Sequence, residues 1–215
     1  MKNFIICLSK IKSSFDSALK VQKQLENFNV FAELFEGTYG DAALKQKEKE
    51  NRIIHHIGIH GTYPSEKSVV KYNRPGVIGC FYSHFNLWKK CVEMNEPIII
   101  WEDDIEIQRP FSPVSWQDVL ILGLSHPAKA KEVIHLLNNP AKDAKALPYN
   151  RRSMPGTCGY AIKPDAAKKL CNEYKNTYLA SDNAINDRIV RISIHNQLMG
   201  ISLDGNKSLT RTKKW

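Results

Sequence analysis

The chain has 215 residues, 42% hydrophobic, 25% charged and 9% aromatic, which excludes disorder, a collagen-like repeat and a disulfide miniprotein and suits one α/β domain over residues 1–215. Its 31 Lys and Arg against 22 Asp and Glu give a formal charge of +9, so an anionic partner is expected: a phosphate-bearing small molecule, an anionic saccharide, a membrane surface or nucleic acid. The longest apolar stretches, residues 97–101 and 119–124, fall far short of the roughly 18 residues of a bilayer span, and the five cysteines show no metal-ligand spacing, which reads as a cytoplasmic protein with reduced thiols.

An apolar run at residues 4–8 precedes Ser13, Ser14 and Asp16 and then a helical pattern through Phe15, Leu19 and Leu25, the order strand, cap, helix. Residues 30–35 alternate in polarity and stop at Gly37, as a second strand does. A βαβ opening of this kind is a platform for nucleotides, which bind at the carboxyl ends of parallel strands. Residues 45–52 (KQKEKENR) carry charge on every face and read as a solvated helix or loop. Residues 53–73 lack a period and read as an irregular loop.

The clearest helix covers residues 76–95, where Ile78, Phe81, Tyr82, Phe85, Trp88 and Val92 recur at spacings of three and four behind Pro75. Pro97 breaks it. Residues 98–101 (IIIW) then read as a strand buried on both faces, and they run directly into Glu102, Asp103 and Asp104. Residues 119–122 form another strand candidate within a polar stretch, about 112–150, that reads as a variable or flexible insertion. Residues 158–162 read as a strand, followed by a helix through Ala166, Ala167, Leu170 and Tyr174. Ser181 or Asp182 can cap a further helix covering Ile185, Ile189 and Val190.

Three adjacent carboxylates repel one another, and a divalent cation relieves that repulsion. Along a strand, Glu102 and Asp104 face one side while Asp103 faces the other or turns with the loop. That pair suits a hard Mg²⁺ or Mn²⁺, which takes one or two carboxylates and completes its shell with phosphate oxygens. The competing reading is an acidic strand end paired with local Lys or Arg. His55, His56 and His60 share no standard zinc spacing with a Cys or carboxylate.

The run RPGVIGCFYSHFNLWKKCVEMNEPIIIWEDDIEI, residues 74–107, resembles the core of the family 25 glycosyltransferases, in which a GCxxSH helix precedes an apolar strand ending in EDD. GTCGYAIKPDAAKKL, residues 156–170, resembles the family's second block, and Ser181-Asp182 stands where the family carries an Asp. The opening strand and helix, with Glu36-Gly37, also resemble its N-terminal part. The resemblance fades over residues 112–150. It implies a GT-A-like fold, a Rossmann-like mixed central sheet flanked by helices, and sugar transfer from a nucleotide donor, a UDP-sugar, with Mn²⁺ or Mg²⁺ on the diphosphate.

Carried over residue by residue, Asp104 becomes the metal ligand and Glu102 a second carboxylate toward metal or ribose, with Asp103 beside them at the donor. Arg74, Arg151 and Arg152 are candidates for the diphosphate, and Ser83 and His84 for the donor, although His84 in mid-helix also reads as a hydrogen-bonder beneath the site. Asp182 reads as a general base on the acceptor hydroxyl or as a helix cap, and His195 as a late metal ligand or a surface histidine. Val77 departs from the family's Glu, and Lys10 and Lys12 stand in place of an Arg. The acceptor implied is a lipooligosaccharide-type saccharide. The basic charge keeps hydroxymethylated DNA as a second acceptor reading, with Arg211, Lys213 and Lys214 as phosphate contacts. A non-catalytic nucleotide-sugar or nucleic-acid binding module and a metal nuclease are the readings from other classes.

Overall fold

The computed structural model describes residues 1–55, 66–125, 133–149, 153–154 and 156–202. His56, His60, Arg151, Arg152, Arg211, Lys213 and Lys214 lie outside them. The chain opens β1 (Lys2–Cys7), α1 (Lys12–Glu26), β2 (Glu33–Glu36), α2 (Gly40–Lys49), β3 (Ile53–Ile54), α3 (Glu66–Tyr72), α4 (Pro75–Met94), β4 (Ile98–Glu102) and β5 (Ile105–Ile107). It continues β6 (Val119–Ile121), β7 (Gly123–Ser125), α5 (His135–Asn138), β8 (Ala146–Pro148), β9 (Gly159–Ile162), α6 (Pro164–Glu173), β10 (Thr177–Tyr178), α7 (Ser181–Ala184), β11 (Ile192–His195) and β12 (Gly200–Ser202).

Seven strands form a mixed sheet in the order β2-β1-β4-β9-β6-β11-β8. β1, β2 and β4 are mutually parallel, β9 runs antiparallel between β4 and β6, and β11 is parallel to β6. The α/β class expected from the sequence is the one observed. Side-chain alternation gives the sheet an apolar core on each face. Phe4, Ile98, Ile100, Tyr160 and Ile162 point to the layer holding α4 and α6, while Ile5, Cys7, Ile99, Trp101 and Ala161 point to the layer holding α1. This two-sided burial is why residues 98–101 carry no polar position.

Helix α4 is the long helix its period predicts. Pro75 occupies its first turn, and Asn95 closes it in the left-handed conformation at φ 50°. It lies so close to the β2–α2 connection that a Cβ on Gly79 would sit 2.6 Å from the Thr38 carbonyl.

Several expectations are corrected. The second strand is shifted from 30–35 to Glu33–Glu36, and Phe31 is 75% exposed. Within the presumed insertion, β6 is wholly buried in the central sheet, and β8 edges that sheet. The region read as a loop holds β3 and α3. Helix α7 stops at Ala184, so Ile185, Ile189 and Val190 are not helical. Arg52 is buried rather than solvated. Its guanidinium donates to Glu50 and to the Tyr174 and Thr177 carbonyls and lies 4.4 Å from the Phe85 ring centroid.

Candidate functional site

Because β1, β2 and β4 are parallel, Cys7, Glu36 and Glu102 end on one edge of the sheet. There β4 gives way to a two-residue turn, Asp103 and Asp104, before β5. A three-stranded sheet, β5-β12-β7, continues beyond it and brings Ser202 alongside.

The three carboxylates diverge to different partners. Glu102 Oε1 takes His84 Nε2 at 3.0 Å, the Thr157 hydroxyl at 2.7 Å and the Cys80 thiol at 3.8 Å. Asp103 accepts from the Ser14 hydroxyl, which also accepts the Leu8 N–H at 2.9 Å. Asp104 Oδ2 accepts from Ser202 at 2.9 Å, and its Oδ1 is buried with no hydrogen-bond partner. The strand alternation does not reach the two aspartates, because β4 ends at Glu102 and they form the turn. Glu102 and Asp104 both act on the thiols of Cys80 and Cys158, while Asp103 acts on Cys7.

Burial, and then the Glu102 charge, push the Asp104 carboxyl up to about 7. Asp103 is pushed up to about 6, again by burial first; its Ser14 hydrogen bond opposes the rise and the Glu102 charge adds to it. Burial works in the same direction on Glu102, but the hydrogen bonds of His84, Thr157 and Cys80 outweigh it and hold that carboxyl below its ordinary value. Among the described residues no Lys or Arg forms an ion pair with any of the three. An orphaned buried oxygen and two carboxyls pushed toward neutrality fit a hard divalent cation.

Helix α4 supplies one wall. His84 is fully buried, with Nδ1 2.9 Å from the Tyr160 hydroxyl. It is the hydrogen-bonder beneath the site, not a surface contact. Ser83 is spent on the scaffold: its hydroxyl donates to the Gly79 carbonyl and accepts the Thr38 N–H, both at 2.8 Å. Arg74 stands exposed at the N-cap of α4. Val77, in the first turn, is packed into the core. Lys12 pairs with Asp16 at 2.9 Å, and Lys10 lies 5.9 Å from the Tyr39 ring centroid.

Helix α7 supplies the other wall. The Ser181 hydroxyl lies 3.0 Å from that of Thr157 and 3.1 Å from the Cys80 sulfur. Asp182 is half-buried in the first turn and acts on Tyr72 and Cys80 electrostatically. The N-cap is Ala180, not Ser181 or Asp182. His195 does not reach this group. It is fully buried at the carboxyl end of β11, three strand spacings or about 14 Å from β4. Its Nε2 lies 2.8 Å from the Ser112 carbonyl, and its Nδ1 accepts the Gln197 N–H at 3.0 Å. Burial lowers its pKa. It is neither a surface histidine nor a ligand of this site.

Sequence reasoning gives Thr157, Ser181, Ser14, Ser202 and Tyr160 no role at the site. Thr157, Tyr160 and Ser181 stand in the stretches that carry the family resemblance, Ser14 reads as a cap, and Ser202 carries no signal. Cys80, His84 and Glu102 bring their ligand atoms within 4.8 Å of one another, the one such group among the described residues.

A sequence model described as Glycosyltransferase family 25 (LPS biosynthesis protein) matches residues 1–185. The lipooligosaccharide biosynthesis protein lex-1 of Haemophilus influenzae is 30% identical over 143 residues, which cover 54% of this chain and 44% of that protein. The lipooligosaccharide biosynthesis protein lic2B of Haemophilus influenzae is 27% identical over 198 residues, 84% of this chain and 67% of that protein. The chain thus spans less than half the length of lex-1 in that match. The inositol-1-phosphate CTP transferase structure from T. maritima superposes over 97% of this chain and 91% of its own, at 13% identity and a TM-score of 0.39. No helix of the described residues is long and apolar enough to cross a membrane.

Proposed function

Because the chain belongs to glycosyltransferase family 25, we propose that it transfers a hexose from a UDP-sugar to a hydroxyl of a lipooligosaccharide-type saccharide on a GT-A-like scaffold. The observation that carries this reading is the buried, unpartnered Oδ1 of Asp104 beside two further carboxylates at the end of a central strand. Such a point suits a cation and lies at the edge where parallel strands receive nucleotides.

Asp104, with Glu102 as the second carboxylate, would hold Mn²⁺ or Mg²⁺, while Asp103 is tied to Ser14 of α1. When bound, the cation neutralises charge on the departing diphosphate. The chain's own residues do the remaining work. Glu102 stays ionised on three donors and fixes the cation side of the site, and Asp182 accepts the proton of the acceptor hydroxyl. Arg74, exposed at the start of α4, supplies charge for the donor's phosphates. The lipooligosaccharide relatives support a saccharide acceptor, while the DNA reading rests on net charge alone.

The test is a panel of nucleotide-sugars offered with Mn²⁺, with Mg²⁺ and with chelator. Lipooligosaccharide and hydroxymethylcytosine DNA are the acceptors, and products are read by mass spectrometry. Metal-dependent hexose addition to the saccharide is expected. Addition to DNA alone replaces the acceptor, and donor binding without turnover on any acceptor supports a binding module.

A further inference from the structure

Trp88, Tyr160 and His84 form a buried file that ends on Glu102. The Trp88 Nε1 lies 2.9 Å from the Tyr160 hydroxyl, that hydroxyl 2.9 Å from His84 Nδ1, and His84 Nε2 3.0 Å from Glu102 Oε1. Trp88, Tyr160 and His84 are fully buried, so no water competes for these atoms. The proton positions follow from the indole end of the file. An indole N–H only donates, so Tyr160 accepts from Trp88, its own proton needs His84 Nδ1 as a bare acceptor, and the ring proton of His84 sits on Nε2, toward Glu102. The single Tyr160 proton then has His84 Nδ1 as its acceptor. With a proton on Nδ1 instead, Tyr160 would receive two donors and its own proton would be buried without an acceptor.

We propose that Tyr160 is a positioning residue that locks His84 as the Nε2–H tautomer and so pins Oε1 of Glu102, leaving Oε2 for the cation or donor. The inference rests on the functional reading above for its consequence, though not for its geometry. It also disfavours a metal ion held by Cys80, His84 and Glu102, because ligation through Nε2 would move the ring proton to Nδ1 and leave the Tyr160 proton without an acceptor. Thr157 and Cys80 act on the same oxygen, so the tautomer sets the direction of a carboxylate that already has three donors. Outer partners of this kind are worth about 10–100-fold in metal affinity.

The experiment has two readouts on the whole chain. Two-bond ¹H–¹⁵N spectra of the metal-free, ¹⁵N-histidine protein report the His84 tautomer without any variant. Nε2–H is expected, and Nδ1–H or a doubly protonated ring overturns the proposal. Mn²⁺ affinity is then measured for Tyr160→Phe and Trp88→Phe alongside their thermal stability. Trp88→Phe leaves the larger void and loses more stability, but Tyr160 still donates to His84, so its Mn²⁺ affinity stays within about threefold of the native value. Tyr160→Phe keeps its ring and loses about 10–100-fold in Mn²⁺ affinity. If affinity instead tracks stability, with Trp88→Phe the worse, the role is packing and the proposal falls. If the native protein binds no Mn²⁺, the metal part of the functional reading fails, and the tautomer spectrum alone decides whether Tyr160 locks His84.

Discussion

Replacing Asp104 by Asn is expected to stabilise the metal-free protein while removing its response to divalent cations. In the native chain the Asp104 carboxyl is pushed up to about 7 by burial and by the Glu102 charge, against an ordinary value of 3.8. A gap of about 3 units corresponds to about 4 kcal/mol. Part of that is repulsion among the three carboxylates that a proton on a neighbour relieves, so about 1–3 kcal/mol falls to Asp104. The folded chain keeps the proton up to pH about 7, whereas the unfolded chain loses it near pH 4. Between those values the folded state binds more protons, and stability falls as pH rises. The gain from Asn is therefore near zero around pH 4, grows through the window and levels off above pH about 7. Urea denaturation in chelator at several pH values measures it, and Mn²⁺ titration of the melting temperature measures the loss of response. A variant less stable than native at pH 8 by more than about 1 kcal/mol would refute the electrostatic account. A Mn²⁺-induced rise in melting temperature equal to the native one would remove Asp104 from the ligand set.

Asp182→Asn is expected to lower turnover by about 10²-fold with donor affinity near native, in assays corrected for folded fraction; unchanged specific activity would deny it the proton-accepting role. Gly79→Ala places a Cβ 2.6 Å from the Thr38 carbonyl and is expected to cost about 1–3 kcal/mol in urea denaturation, with a neutral effect contradicting the close approach of α4 to the β2–α2 connection. Arg52→Met leaves the Tyr174 and Thr177 carbonyls without this donor and removes one of three donors to the part-exposed Glu50, which keeps Gln46 and Tyr82. It is expected to cost about 1–3 kcal/mol, and no measurable cost would mean that Arg52 is bound only loosely.

The parts of the fold legible in the sequence are those whose cause is local. Pro75 and Pro97 bracket an apolar period of three to four, and the sheet buries residues 98–101 on both faces, so α4 and β4 follow from composition and spacing. Arg52 was illegible because all seven of its neighbours in KQKEKENR are polar and the chain there reads as solvent-facing. Its partners include carbonyls 122 and 125 residues away. Strands β3 and β10, two residues each, pair only with each other and are too short to show a period. The apolar spacing of Ile185, Ile189 and Val190 suggested a helix, but Ile185 and Val190 are core residues on irregular backbone. For the site, the apolar run marks the strand that carries the acids, but β4 stops at Glu102, so the strand period does not place Asp103 and Asp104. Their hydroxyl partners, Ser14 and Ser202, lie 89 and 98 residues from them, and no local pattern joins those positions.

What separates three neighbouring acids is therefore the number of donors the fold brings to each. Desolvation acts on all three in the same direction. Glu102, at the end of β4, still faces α4 and Thr157, two residues before β9, and the side chains there give one of its oxygens three donors. Asp103 and Asp104 have left the ladder, and each meets a single serine, from α1 and β12 respectively. One hydroxyl is too little to hold a buried carboxylate ionised beside another negative charge. The deficit sits on the two acids of the turn, where a bound ion would be reached from the carboxyl edge of the sheet. The same deficit makes the metal-free chain less stable at neutral pH than its packing alone would allow. A substitution that relieves it would raise stability and abolish the site together, which is the trade-off expected where a charge is retained for binding and not for folding.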